Sequence, residues 1–207
     1  MSVSEQVHTR VLRMKRGTPF SIHSFYKLGA QTAVQKAMSR LTQEGVVARV
    51  SKGYYVRPKP FAHIPSIKIT TSAEKVAEAW AKENNYKLVS QGIEEAYRLG
   101  LQTQAPVKTI LWTNGPSREF RIGNEVVQVK HVIEKKLKWI GKPEGTLLRG
   151  LLVMSPESVE LTSIKLAIKR LSLSGQDAVE MLHKLSGLAV LQNWRDKLQE
   201  FERQLVQ

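Results

Sequence analysis

Val3, Val7, Val11 and Met14 recur three and four residues apart, the spacing at which apolar side chains share one face of an α-helix. Lys15-Arg16-Gly17 then bring cations to a last turn and a glycine stop, so the pattern predicts a first helix over residues 3–15. Thr18-Pro19-Phe20 reads as a short extended piece. Ser21 is placed to cap a short second helix from Ile22 to Leu28, and Gly29 supplies the tight turn into a third helix. That third helix is predicted from about Gln31 to Glu44, with Ala33, Val34, Ala37, Met38 and Leu41 on one face and Gly45 as its stop. The pattern then changes to β-rich runs, Val46-Val47-Ala48 and Tyr54-Tyr55-Val56, joined through Ser51-Lys52-Gly53. Three helices followed by a basic hairpin predict an N-terminal winged helix-turn-helix. The two prolines of Arg57-Pro58-Lys59-Pro60 end the last strand and place a domain boundary after residue 60.

Residues 61–207 predict a second domain. Ser72 to Lys82 carries Val76, Ala77 and Trp80 at helical spacing, and Ile93 to Leu99 reads as a helix stopped by Gly100. Thr109 to Thr113 is strand-like, Asn114-Gly115-Pro116 is a turn, and Phe120-Arg121-Ile122, Gly123-Asn124 and Val126 to Val129 read as a hairpin. Residues 151–207 predict helices. Ser155-Pro156-Glu157 starts one, with Val159, Ile164, Leu166, Ile168 and Leu171 as its apolar material; another follows Ser174 and ends near Gly187. In the last, Leu191, Trp194, Leu198, Phe201 and Leu205 form a seam that its own domain or a second subunit must cover. The fold class expected is α+β: a winged helix-turn-helix, then a mixed α/β domain with a helical C-terminal part.

Charge sharpens this division. The 207-residue chain has a net charge of +14, and residues 1–60 hold eleven Lys/Arg against Glu5 and Glu44 alone. Residues 61–150 carry fourteen Lys/Arg and nine Glu, and residues 151–207 carry seven of each sign. The basicity therefore concentrates where a nucleic-acid-binding module is predicted, as phosphate neutralisation requires. With 42% hydrophobic residues the chain can bury a sizeable core. No cysteine is present, which excludes disulfides and thiolate chemistry and fits a reducing cytoplasm. No apolar run approaches the roughly 18 residues of a membrane span, so neither export nor membrane association is expected.

On the third helix, Thr32, Gln35, Lys36, Ser39 and Gln43 lie opposite the apolar stripe, with Arg40 at its flank. Such a face is either simply solvated or a reading surface, since Gln pairs with adenine and Lys or Arg with guanine in a major groove. Arg49, Lys52 and Arg57 of the hairpin are placed for the sugar-phosphate backbone. Lys130, His131, Lys135, Lys136, Lys138 and Lys142 form a second basic run, either a phosphate patch or a solvated face. Enzymatic chemistry finds little support. The only aspartates are Asp177 and Asp196, and His8, His23, His63, His131 and His183 show no metal-ligand spacing. Glu94 and Glu95 are adjacent and point to different helix faces. No catalytic residue, metal or cofactor is expected.

Some of these residues also form motifs. Leu28-Gly29, Ala33-Val34, Ala37, Ser39-Arg40-Leu41 and Arg49-x-x-x-Gly53-x-Tyr55-x-x-Pro58 resemble the N-terminal winged helix of AbiEi-like antitoxins of type IV toxin–antitoxin systems. Gln91-Gly92, Ala96, Leu99-Gly100-Leu101-Gln102-Thr103-Gln104-Ala105-Pro106-Val107-Lys108 and Leu111-x-Thr113-Asn114-Gly115-Pro116-Ser117 continue the likeness, which covers about Gly17 to Lys130. Tyr97-Arg98 stands where that family often has Ala-Asn, and Gln102 where Ser is common. The resemblance implies a repressor-like antitoxin that binds repeats in its own promoter as a monomer or homodimer. It also implies a nucleotidyltransferase-like toxin, counteracted without a stable complex. A winged-helix regulator whose C-terminal domain senses a ligand or protein partner is the alternative. An RNA-binding protein is a third reading, weakened because Tyr54 and Tyr55 read as strand-packing residues rather than an exposed stacking platform.

Overall fold

The computed structural model describes residues 1–60 and 68–206. Its first elements are α1 (Val3–Leu12), β1 (Phe20–Ser21), a 3-10 helix (Ile22–Leu28), α2 (Gln31–Gln43), β2 (Ala48–Ser51) and β3 (Tyr54–Val56). There follow β4 (Lys59–Pro60), β5 (Lys68–Ile69), α3 (Ala73–Glu83), β6 (Leu88–Ser90), α4 (Gly92–Leu99), β7 (Thr109–Thr113), β8 (Arg118–Ile122) and β9 (Glu125–His131). The last helices are α5 (Pro143–Leu151), α6 (Leu161–Arg170), α7 (Gly175–Ser186) and α8 (Arg195–Val206). The protein is thus α+β.

The chain forms two compact units, and neither is a single continuous segment. One comprises Met1–Tyr86 and Arg118–Val129, the other Lys87–Ser117 and Lys130–Gln207. The boundary expected after residue 60 is therefore displaced, for a reason visible in the first unit. Its strands pair antiparallel in the order β1-β3-β2, with Phe20 opposite Tyr55 and Arg49 opposite Tyr55 on the other side. Tyr55 joins a core of Val7, Val11, Phe25, Val34, Met38 and Leu41. Tyr54, pointing to the opposite face as successive strand residues do, donates its phenol to Glu83 of α3. Trp80 of α3 packs on Phe120 of the β8–β9 hairpin at 5.6 Å between ring centroids and on Tyr86 at 5.1 Å. Residues far beyond the prolines thus belong to the same packed unit as the N-terminal helices.

Local signals largely explain the elements of this unit. A capping box joins Ser2 and Glu5 at the start of α1, and the Ser72 hydroxyl caps α3. The predicted second helix is a 3-10 helix, started by the Ser21 side chain accepting from His23 N–H. Val46 and Val47 precede the strand instead of forming it: both amides donate to Leu41 C=O and continue the helix exit. The hairpin β8–β9 turns at Gly123-Asn124, with Ile122 opposite Glu125.

In the second unit, β6 pairs with β7, and α4 to α8 enclose a core containing Ala96, Leu99, Leu148, Leu151, Ile164 and Leu182. Leu191, Trp194, Leu198 and Phe201 are all buried in that same core, so the unit covers the greater part of its own terminal seam. A 3-10 segment, Ala189–Trp194, precedes α8 and is kinked within itself at Leu191, and the Trp194 indole donates to Leu151 C=O at 3.1 Å. Ser155-Pro156-Glu157 starts only a 3-10 turn, Pro156–Ser158, and α6 begins later, at Leu161.

Candidate nucleic-acid interface

α2 owes its orientation to the elbow before it. Gly29 has φ +158°, and a Cβ there would lie 2.5 Å from Val3 Cγ2 of α1, so only glycine lets the first helix press against the turn. The apolar side of α2, with Val34, Ala37, Met38 and Leu41, is buried. On the other side Thr32, Gln35, Lys36, Ser39, Arg40 and Gln43 are all exposed. The helix contains no acidic residue.

The hairpin places Arg49 and Lys52 on the exposed surface as well. Among the described residues, Lys36, Arg40, Arg49 and Lys52 take part in no ion pair or side-chain hydrogen bond, whereas Gln35 donates to the Tyr26 phenol at 3.3 Å. Arg57 departs from its expected place beside them. It is half-buried, and its Nη1 donates to the carbonyls of Leu12 at 2.5 Å and Met14 at 2.9 Å. The guanidinium thus satisfies carbonyls left open where α1 ends, and the hydrogen bonds that hold it there make it a clamp on the first helix.

Between α2 and the hairpin runs a half-open groove of about 900 Å³, lined by Gln35, Ser39, Gln43, Arg49 and Lys52 from the predicted set. Thr32, Lys36 and Arg40 stand on the exposed crest of the helix outside that lining. His23, Tyr26, Glu83 and Arg118 also line the groove, and none of them was legible as a site residue. Glu83 lies 29 residues after Tyr54 of the hairpin and Arg118 later still, and no local motif links either to α2.

Glu83 would be a misplaced charge in a basic groove were its oxygens not engaged. Oε1 meets His23 Nδ1 at 3.1 Å, and Oε2 accepts from the Tyr54 phenol. Burial pushes the carboxyl up, but hydrogen bonds from Ser21, Tyr54 and His23 and the nearby His23 charge outweigh it and hold Glu83 below the ordinary carboxylate value. Tyr54 is driven well above the ordinary phenol value by burial and by the same hydrogen bond and charge. Tyr54 and Tyr55 are buried and offer no exposed stacking surface.

In the second unit Lys130, Lys135, Lys138 and Lys142 are exposed, while Lys136 lies half-buried over the Trp112 ring at 5.2 Å. His131 Nδ1 meets Gly115 C=O at 2.9 Å. The adjacent acids do part company: Glu94 pairs with Arg98 on the surface, and Glu95 faces Arg149 in the interior at 3.6 Å. Burial raises the Glu95 carboxyl against the pull of Arg149, and lowers Arg149 against that of Glu95. His63 lies outside the described residues. Among the described residues no group of three or more His, Asp or Glu is placed to hold a metal ion, and no helix is long and apolar enough to cross a membrane.

Among curated proteins none matches the chain. Among solved structures, the crystal structure of the RV2827C protein from Mycobacterium tuberculosis is similar at 12% identity and a TM-score of 0.41, over 97% of this chain and 80% of that one. A family model described as a family of unknown function, DUF6088, matches residues 6–181, and the chain belongs to that family.

Proposed function

We propose that the first unit is a winged helix-turn-helix that binds duplex DNA, with α2 in the major groove and the β2–β3 hairpin against the backbone. The observation that carries this reading is the set of uncommitted cations. Lys36, Arg40, Arg49 and Lys52 have no acidic partner among the described residues and flank the exposed hydrogen-bonding side chains of Gln35, Ser39 and Gln43. A face that merely needed solubility would tolerate interspersed acids, and α2 has none. Phosphates would supply the missing counter-charge, and Lys36 and Arg40 are the side chains best placed to tell guanine from adenine.

The motif likeness to AbiEi-like antitoxins supports a self-repressing antitoxin as the biological setting, with the DNA upstream of its own gene as the target and a nucleotidyltransferase-like toxin as the functional counterpart. Gel shift of the full chain on that upstream duplex against random duplex and against RNA of matched length tests the DNA reading. Preference for the upstream duplex supports it; equal affinity for random duplex removes the specificity claim, and tighter binding to RNA removes the DNA claim. Co-expression with a neighbouring nucleotidyltransferase gene tests the antitoxin role separately.

A further inference from the structure

The groove beside α2 contains a cation from outside the N-terminal segment. Arg118, the first residue of β8, lines it together with Arg49 and Lys52. β8 lies against β2, the strand that carries Arg49. The Arg118 guanidinium lies over the rings of Phe120 at 5.0 Å and Trp80 at 5.9 Å from their centroids. Stacking on aromatic faces holds an arginine in place while leaving its in-plane N–H donors free for a planar or tetrahedral anion. Among the described residues no acid takes that role: Glu83, the carboxylate lining the groove, is occupied by His23 and Tyr54, and Arg118 forms no ion pair.

Resting on the DNA reading above, we infer that Arg118 is a phosphate-contacting residue, delivered by a hairpin remote in sequence, that extends the duplex interface of α2 and the β2–β3 hairpin. The aromatic rings fix where the charge sits, and a charge fixed on the groove wall, away from the crest of α2, suits the regular backbone and not a base edge. Its contribution is therefore the same for every sequence and appears in the salt dependence of binding.

The absence of cysteine from the chain makes a chemical test available. Arg118→Cys is made in the full-length protein, and its affinity for the upstream duplex and for random duplex is measured across a salt series. The measurement is repeated after the thiol is modified with 2-aminoethyl methanethiosulfonate, which restores a cation, or with methyl methanethiosulfonate, which does not. Lys52→Ala serves as the reference for removing one phosphate-bound cation. The expected result is a log–log salt slope lowered by about one for Arg118→Cys, recovered with the cationic reagent and not with the neutral one, while the ratio of upstream to random affinity stays constant. A slope equal to that of the wild type in Arg118→Cys, with Lys52→Ala lowered, overturns the assignment and leaves the DNA reading standing. Recovery by both reagents overturns it in favour of a packing role. If the wild-type chain binds no duplex, both readings fall together.

Discussion

Two groups of cations, one in each unit, are treated in opposite ways. In the second unit several cations find acids nearby: Arg98 with Glu94, Lys184 with Glu144 and Glu180, and Arg149 with Glu95 in the interior. In the first, the cations of α2 and the β2–β3 hairpin have no such partners among the described residues, and the carboxylate in the groove is turned inward to His23 and Tyr54. Paired charge in the second unit serves the fold, whereas the cations of α2 and the hairpin make no such contribution. Surface pairs of the Arg98–Glu94 kind contribute less than about 1 kcal/mol each, so leaving cations unpaired costs the first unit little stability.

The sharpest break in the comparison is expected at the interior pair. Arg149 and Glu95 are 3% and 8% exposed at their side chains, and Arg149 Nε and Nη1 have no hydrogen-bond partner among the described residues. Arg149→Ala should destabilise the second unit by about 3–5 kcal/mol by leaving the Glu95 carboxylate alone in the core, whereas replacing both with leucine should recover most of that loss. Chemical denaturation of the three proteins checks it, and a double variant as unstable as the single one would show that the pair itself is needed. Next in size, Lys36→Ala with Arg40→Ala should cost about 1–3 kcal/mol of binding for each base that is no longer read, with an unchanged melting temperature. Gel shift beside thermal melting reads both, and a fall in stability would mean that these side chains belong to the fold after all.

Arg57→Ala reverses that expectation. Because its guanidinium holds Leu12 and Met14 carbonyls, the variant should lose about 1–2 kcal/mol of stability and keep its salt slope on DNA; a lowered slope in a stable variant would return Arg57 to the phosphate-binding role first expected of it. The smallest effect concerns pH. A carboxyl held below its ordinary value stabilises the fold above the unfolded-state value and loses that contribution as pH falls through the folded one. Stability of the first unit should therefore decline on the acid side of the ordinary carboxylate range, and Glu83→Gln should flatten the decline. Melting temperatures at neutral and acid pH test this, and parallel curves for the two proteins would exclude Glu83 as a contributor.

What the sequence showed and what it hid divide by range. α7 was bounded by Ser174 and Gly187, β7 by its apolar run, and the α2 stripe by period alone, because caps and periodicity act within a few residues. The crest of α2 was legible for the same reason. α5 was not read as a helix at all, since Gly145 and Gly150 look like breakers. In the fold they are close-approach points: a Cβ at Gly145 would lie 2.1 Å from Trp139 C=O, and one at Gly150 3.1 Å from Leu101 Cδ1. Arg57 was misplaced because its sequence neighbours suggest a wing, while its partners lie 43 and 45 residues earlier. Glu83 and Arg118 could not be found for the same reason: their relation to α2 exists only after the sheet has been covered on both sides.

That second covering constrains how the molecule could have been assembled. Tyr54 is 4% exposed only because material encoded well downstream closes over it, so a sixty-residue cassette transplanted into another gene would arrive with a bare aromatic side and no counterpart to seat it. Recombination would have to carry two separated stretches at once, and the N-terminal unit is in that sense inherited whole or not at all.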